Sequence, residues 1–296
     1  MRFSSSHSRV PDVFLGSIFE EPGKARVAVL PVAYEGTASY ALGTAKGPRA
    51  IINASKEIEF YEEETETEPF EAGIVTLKEL KPRKPPENAV NEVEKSMAKI
   101  IADKKFPVML GGEHSISIGA VRALKKKFPS LSVLQLDAHD DLRDEYDGSK
   151  YSHACTMRRI IEEGCSAAQV GIRSTQGMTL EWMKEKTKIF WAREKKKWKT
   201  QEILDSLSQE VYVTFDVDAF DPAIMPSTGT PEPGGLFWDE TLELLHAVFA
   251  EKNVVGFDVV ELLPIKNFHA PDFTAAKLVY KMLAYKFEKE LRVHQP

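Results

Sequence analysis

The sequence predicts an α/β fold in which a parallel sheet carries helices on both faces. Three observations lead there. Short β-branched runs alternate repeatedly with longer segments of helical pattern, the order expected of a parallel sheet with crossover helices. Most of those runs are apolar throughout, as strands covered on both faces are. The chain has 296 residues, of which 43% are hydrophobic and 28% charged, a composition that excludes collagen-like, low-complexity and wholly disordered chains. That length suits one large domain with an extensive core, expected to span 1–296.

Taken in order, the first strand is expected at 26–31 (RVAVLP), followed by helices at 48–57 and 88–103. A strand at 107–110 (PVML) leads to a helix at 116–127, and a strand at 131–137 (LSVLQLD) to a helix at 152–163 opening on Ser152. Strands at 168–172 and 188–192 come next, then a strand at 211–217 (VYVTFDV) with a helix at 239–251. The last pair is a strand at 254–260 (VVGFDVV) and a helix at 272–287. Ser152, Asp239 and Asp272 are expected as side-chain caps of their helices. No linker and no internal repeat is visible.

Charge and cysteine content narrow the function classes. Lys plus Arg total 39 against 45 Asp plus Glu, a net charge of −6, so nothing asks for a polyanionic partner and nucleic-acid binding is disfavoured. The two cysteines, Cys155 and Cys165, lack C-x-x-C spacing and read as free thiols in a reducing compartment. The start of the chain has no apolar run of signal-peptide length, and no stretch approaches membrane-spanning length, so a cytoplasmic protein without membrane contact is expected. The acidic run 62–71 (EEETETEPFE) reads as a solvated loop or edge, and the lysine runs 125–127 and 195–197 as a helix C-terminus and an exposed turn. A sequon at Asn53 carries no weight without a secretory signal.

The residues that can carry chemistry gather at the C-terminal ends of four expected strands, where open α/β sheets place their ligand crevice. These are Gly111-Gly112-Glu113-His114-Ser115, Asp137-Ala138-His139-Asp140-Asp141, Asp216-Val217-Asp218 and Glu261. In an extended chain alternate residues point one way, so Asp137, His139 and Asp141 share a face, as do Asp216 and Asp218. Five or more carboxylates at the end of a buried sheet would repel one another unless cations neutralise them. Helix capping would account for one Asp per strand but not for D-x-H-x-D together with D-x-D. Four aspartates match the charge of two divalent ions, and an oxygen-rich set with two imidazoles suits Mn²⁺ better than thiolate-seeking metals.

On these motifs the sequence resembles the ureohydrolases, the arginase and agmatinase family, and agmatinase most of all. GGEHS, DAHDD, SHA, FDVDAFDP, PSTGTPEPGGL (226–236) and DVVELLP (258–264) occur in the family's order, and GTASYALGTAKGPRAI (36–51) fits as well. The resemblance implies a three-layer α/β/α sandwich around a mostly parallel sheet, assembled as a trimer or hexamer. It implies one Mn²⁺ on His114, Asp137, Asp141 and Asp216 and another on His139, Asp137, Asp216 and Asp218, with Asp137 and Asp216 bridging. Asp140, out of phase, is expected to support the site or start a helix. Water held between two such ions becomes hydroxide near neutral pH and can attack a guanidinium carbon. Glu261 is then expected to pair with the guanidinium, Asp141 to orient the hydroxide and stabilise or protonate the tetrahedral intermediate, and His153 to carry protons to solvent. His7, His246, His269 and His294 have no such support.

The reaction implied is cleavage of agmatine to putrescine and urea, with a small cationic guanidino substrate. Aminopropylagmatine ureohydrolase, arginase, guanidinobutyrase and formiminoglutamase share the same metal core. A non-catalytic oligomeric paralogue would show an eroded ligand set, and a deacetylase-like amidase would show a tandem His pair. Where arginases carry an Asn after D-x-H-x-D, this chain has Arg143, and the loop 142–151 (LRDEYDGSKY) holds Asp144, Glu145 and Asp147. An acidic pocket mouth suited to a substrate ending in a second cation is therefore expected.

Overall fold

The computed structural model describes residues 12–16 and 23–292. The greater part of the chain's first sixteen residues, with His7, and the C-terminal His294 lie outside the described residues. In chain order the regular elements are β1 (Val27–Val32), α1 (Gly47–Ser55), β2 (Ile74–Thr76), α2 (Pro86–Ala102), β3 (Phe106–Gly111), α3 (Ser117–Lys127), β4 (Ser132–Leu136) and α4 (Thr156–Glu162). They continue with β5 (Ser166–Ile172), α5 (Leu180–Lys186), β6 (Thr187–Trp191), α6 (Thr200–Leu204), β7 (Glu210–Asp216), α7 (Trp238–Glu251), β8 (Asn253–Val260) and α8 (Ala270–Arg292).

All eight strands enter one sheet in the order β2-β1-β3-β8-β7-β4-β5-β6. Every strand pair in it is parallel. Successive side chains of a strand serve opposite faces, and here both faces are apolar. Val27 and Val29 join α1, α6, α7 and α8 in one core, whereas Ala28 and Leu30 join α2, α3 and α4 in the other. The result is the three-layer α/β/α sandwich. No described helix is long and apolar enough to cross a membrane, and Cys155 and Cys165 are both free and buried.

Three expectations need correction. The sequence reading missed β2, α5 and α6, whose three, seven and five residues are too short to show a period. Side-chain caps are absent from α1, α2, α3, α4 and α6. Ser152 instead precedes a 3₁₀ turn, His153–Cys155, that feeds α4, and such a turn satisfies first-turn N–H groups with backbone carbonyls. Asp239 and Asp272 lie inside α7 and α8, and at α7 it is the Glu240 carboxylate that accepts from the Phe237 N–H at 2.7 Å. The acidic run, finally, is not merely solvated. Glu62 is fully buried and ion-paired with Lys281 of α8, itself 3% exposed, and Glu63 and Glu64 hold the same ammonium.

The lysine runs stand closer to expectation. Lys125 to Lys127 close α3, while Lys195 to Lys197 end a 3₁₀ turn from which Lys195 reaches Glu240 at 2.7 Å.

Candidate active site

The four central strands β3, β8, β7 and β4 are neighbours in the sheet, so the residues following them meet at one edge. Gly112 allows the first of these loops to close. A Cβ there would stand 1.9 Å from the Tyr34 carbonyl oxygen, and the close approach lets Glu113 N–H donate to that oxygen at 2.9 Å. His114 is thereby fixed at the start of a 3₁₀ turn leading into α3.

Alternation along extended strands is not the geometry that brings these residues together. Asp137 follows the last residue of β4, and Asp141 has a φ of 50°, a left-handed conformation that no strand adopts. Asp218 lies in the 3₁₀ turn Val217–Ala219, where its N–H donates to Asp216 Oδ1 at 2.8 Å. Turns, rather than pleating, bring the second carboxylate of each motif round.

Two groups result. His114, Asp137 and Asp216 form one, and Asp137, His139 and Asp218 the other, the donor atoms of each lying within 4.8 Å of one another. Asp137 is common to both, whereas Asp216 belongs to the first alone. His114 Nδ1 stands 3.1 Å from Asp137 Oδ2, 3.1 Å from Asp141 Oδ2 and 3.6 Å from Asp216 Oδ2. His139 Nδ1 stands 2.9 Å from Asp218 Oδ2 and 3.6 Å from Asp137 Oδ1.

Hydrogen bonding around the groups explains how they are aimed. Tyr212 OH and Thr214 Oγ1 each donate to Asp258 at 2.7 Å. Thr214 Oγ1, its one proton used, accepts from His114 Nε2 at 2.9 Å, which leaves Nδ1 with its lone pair directed at carboxylates. That Nδ1 is buried and makes no hydrogen bond. Asp137 is steadied by Gln135 Nε2 at 2.7 Å, and Gln135 Oε1 by Gln169 Nε2 at 2.6 Å. None of Tyr212, Thr214, Asp258, Gln135 or Gln169 was singled out from sequence, because a polar residue inside an apolar strand run is its only signal. Asp140 accepts from Thr175, from Thr179 Oγ1 at 3.1 Å and from Leu142 N at 3.1 Å.

The electrostatics call for positive charge. Burial raises the pKa of Asp216, Asp218 and Glu261, and neighbouring carboxylates raise them further. Burial, with Asp137, also takes Asp141 up to about 6 against the pull of His114. Burial would lower the two imidazoles, but their carboxylate neighbours prevail, lifting His114 well above its usual value and His139 to about 12. Without a cation the carboxylates draw a proton onto the His114 lone pair, whereas a divalent ion would take up both that lone pair and the carboxylates that resist joint ionisation, and the oxygen-rich donors fit a hard one.

The cluster forms the floor of a cavity of about 300 Å³ whose lining includes His139, Asp141, His153, Glu261, Arg143 and Glu232. Glu261, at a φ of 64°, accepts from the His114 N–H at 2.6 Å. The expected acidic mouth is not built as foreseen. Asp144 is taken by Arg159 at 2.6 Å, and Asp144, Glu145 and Asp147 do not line the cavity. Arg143 does, its guanidinium lying over the Tyr146 ring at 4.6 Å, and Glu232 is the carboxylate of the rim. His246 sits elsewhere, bonded to Glu288 at 3.0 Å, and His269 borders a different cleft.

Known proteins resemble the chain over most of its length. The arginase family profile matches residues 25–284. An N(1)-aminopropylagmatine ureohydrolase of Synechocystis sp. is 40% identical over 88% of this chain and 89% of its own length. An agmatinase of Pyrococcus horikoshii is 35% identical over 86% of this chain and 90% of its own. The crystal structure of the agmatine ureohydrolase of Thermoplasma volcanium superposes with a TM-score of 0.84 at 32% identity, covering 94% of this chain and 97% of that one.

Proposed function

The chain belongs to the arginase family, and from that premise we propose that it hydrolyses the guanidino group of agmatine, giving putrescine and urea, at a binuclear manganese centre. The observation that carries the reading is the pair of His–carboxylate groups sharing Asp137 at the floor of a cavity that Glu261 also lines. His114, Asp137, Asp141 and Asp216 would hold one ion, and His139, Asp137, Asp216 and Asp218 the other. All six positions carry a metal-binding side chain, which argues against a non-catalytic paralogue.

Bound there, two divalent ions supply a water acidic enough to act as a nucleophile near neutral pH. Glu261 pairs with the planar guanidinium and sets its carbon over the cluster. Asp141, beside His114, orients the attacking group and returns a proton to the departing amine. His153, on the cavity wall, carries protons between the site and solvent. At the rim Glu232 offers a carboxylate to the far ammonium of the substrate, while Arg143 is held against Tyr146.

Agmatine bearing an N1-aminopropyl group is the second reading, favoured by the 40% identical relative that bears that name. The whole chain is read as one catalytic unit, assembled as a homo-oligomer, trimer or hexamer, in the cytoplasm. Exposed Tyr40 at the rim and exposed Leu42 beside it support the assembly, and the buried free thiols of Cys155 and Cys165 support the compartment.

The test is urea release from agmatine, N1-aminopropylagmatine, arginine and guanidinobutyrate after Mn²⁺ loading. Agmatine or its aminopropyl derivative should exceed arginine in kcat/KM by at least roughly a hundredfold, the discrimination expected when polar groups are left unpaired. Equal values for arginine, or activity confined to guanidinobutyrate, would overturn the substrate.

A further inference from the structure

A second carboxylate–threonine–histidine chain ends at His153 on the cavity wall, outside both candidate metal-binding groups. Glu113 is fully buried, and its carboxylate is surrounded by donors. Oε2 accepts from Gly36 N at 2.6 Å and Thr37 N at 2.7 Å, and Oε1 accepts from Ser115 Oγ at 2.6 Å and Thr37 Oγ1 at 2.8 Å. The same Thr37 Oγ1 stands 3.1 Å from His153 Nδ1 and accepts from His153 N–H at 3.0 Å.

Counting protons decides the direction. A threonine hydroxyl has one hydrogen and two lone pairs. A bond to an ionised acceptor is stronger than one to a neutral imidazole nitrogen, so the hydrogen goes to Glu113 at 2.8 Å. Thr37 can then only accept from His153 Nδ1, which must carry the proton. Ser152 Oγ stands 3.5 Å from Nδ1, a longer and weaker contact than the 3.1 Å to Thr37. Tyr146 meets the ring edge-on with centroids 5.9 Å apart, limiting its rotation.

We propose that Thr37 is a positioning residue for the hydrolysis. Tied to Glu113, it locks His153 in the Nδ1–H tautomer, so that Nε2 is the basic nitrogen this ring brings to the cavity wall. This rests on His153 serving the reaction as the proton carrier. A proton taken from the site onto Nε2 converts the imidazole to imidazolium, and the same proton leaves Nε2 for solvent water. Throughout, Nδ1–H stays on Thr37. The logic is that of an orienting third group behind a general base, with a hydroxyl interposed. The Asp258–Thr214–His114 chain is its counterpart with opposite polarity, binding Nε2 and presenting Nδ1.

The test reads the ring directly. Protein labelled with ¹⁵N-histidine and loaded with a diamagnetic divalent ion gives distinct ring-nitrogen shifts for the two neutral tautomers, and the His153 signals are assigned by their loss in His153→Asn. The expected spectrum has a protonated Nδ1 and a bare Nε2 at His153, whereas Thr37→Val should give mixed tautomers. In turnover, Thr37→Val should lower kcat about 10- to 100-fold, within the range general acid–base catalysis contributes, with KM and metal content unchanged. Thr37→Ser, which keeps the hydroxyl, should recover most of the rate. A protonated Nε2 in the unsubstituted protein overturns the proposal, as does an unchanged kcat in Thr37→Val. If no guanidino compound is hydrolysed, the functional reading fails by itself, and the ring spectrum still decides the tautomer.

Discussion

Asp137 accepts from Gln135 Nε2 at 2.7 Å and from the His139 N–H at 2.6 Å while belonging to both donor groups. In the proposed centre both ions therefore depend on it, as they do on Asp216, whereas His139 serves only the second. Asp137→Ala should purify with almost no tightly bound manganese, and His139→Ala with about one ion per chain, because loss of one ligand weakens its own site and spares the other. Metal analysis of the two proteins checks this, and equal metal contents would contradict the sharing. Glu261 has a different partner. Glu261→Gln should keep both ions yet lose turnover, since its proposed partner is the guanidinium and not a metal ion, and metal loss there would reassign it as a ligand. His153→Ala should lower kcat more than it changes KM, with exogenous imidazole restoring part of the rate by carrying the proton. The candidate ligands were legible in the sequence because D-x-H-x-D and D-x-D at strand ends are unusual. Thr37, Thr214 and Asp258 were not, because a lone threonine or a strand aspartate acquires meaning only from what it touches.

The helix α8 shows how an element can be secured by a motif that reads as solvent-exposed. Lys281 is 3% exposed and pairs with Glu62, which is fully buried, as well as with Glu63 and Glu64. Removing its charge strands a buried carboxylate, so Lys281→Met should cost about 3–5 kcal/mol in urea unfolding, the range for breaking a buried ion pair. Burial acts to raise Glu63 and Glu64, but hydrogen bonds and Lys281 prevail and hold both below the usual glutamate value, Glu63 at about 2. Acids with depressed folded pKa values stabilise above their unfolded value and lose that contribution as they protonate. The difference between the parent and Lys281→Met should therefore shrink as pH falls from 4.5 toward about 2, and a constant difference would remove these two acids from the account. Sequence could not show this, because EEETETEPFE carries no period and its partner lies more than two hundred residues away. The long apolar strands declared themselves, as both-face burial leaves a continuous hydrophobic run. The edge strand β2, with three residues, was too short to do so.

At the scale of the whole molecule, the candidate metal-binding residues follow β3 and β4 or stand at and just after the end of β7, and Glu261 follows β8, so the site joins segments of chain more than a hundred residues apart. Its carboxylates stand closer than like charges tolerate, and the apolar layers on both faces hold them there. Ions that bind the folded chain alone draw the equilibrium toward it, by about 2.7 kcal/mol at a hundredfold excess over Kd. With about 2–4 °C per kcal/mol for large domains, that predicts a rise in Tm of about 5–10 °C on loading the chelated protein. The effect should track metal occupancy. Differential scanning calorimetry of the apo protein titrated with Mn²⁺ reads it, alongside the same titration of Asp137→Ala. The variant loses the shared ligand of both groups, so its Tm should respond little to Mn²⁺. An apo parent that melts at the same temperature with and without Mn²⁺ would mean that the sheet edge tolerates its own charges, and the electrostatic case for two bound cations would fall with it.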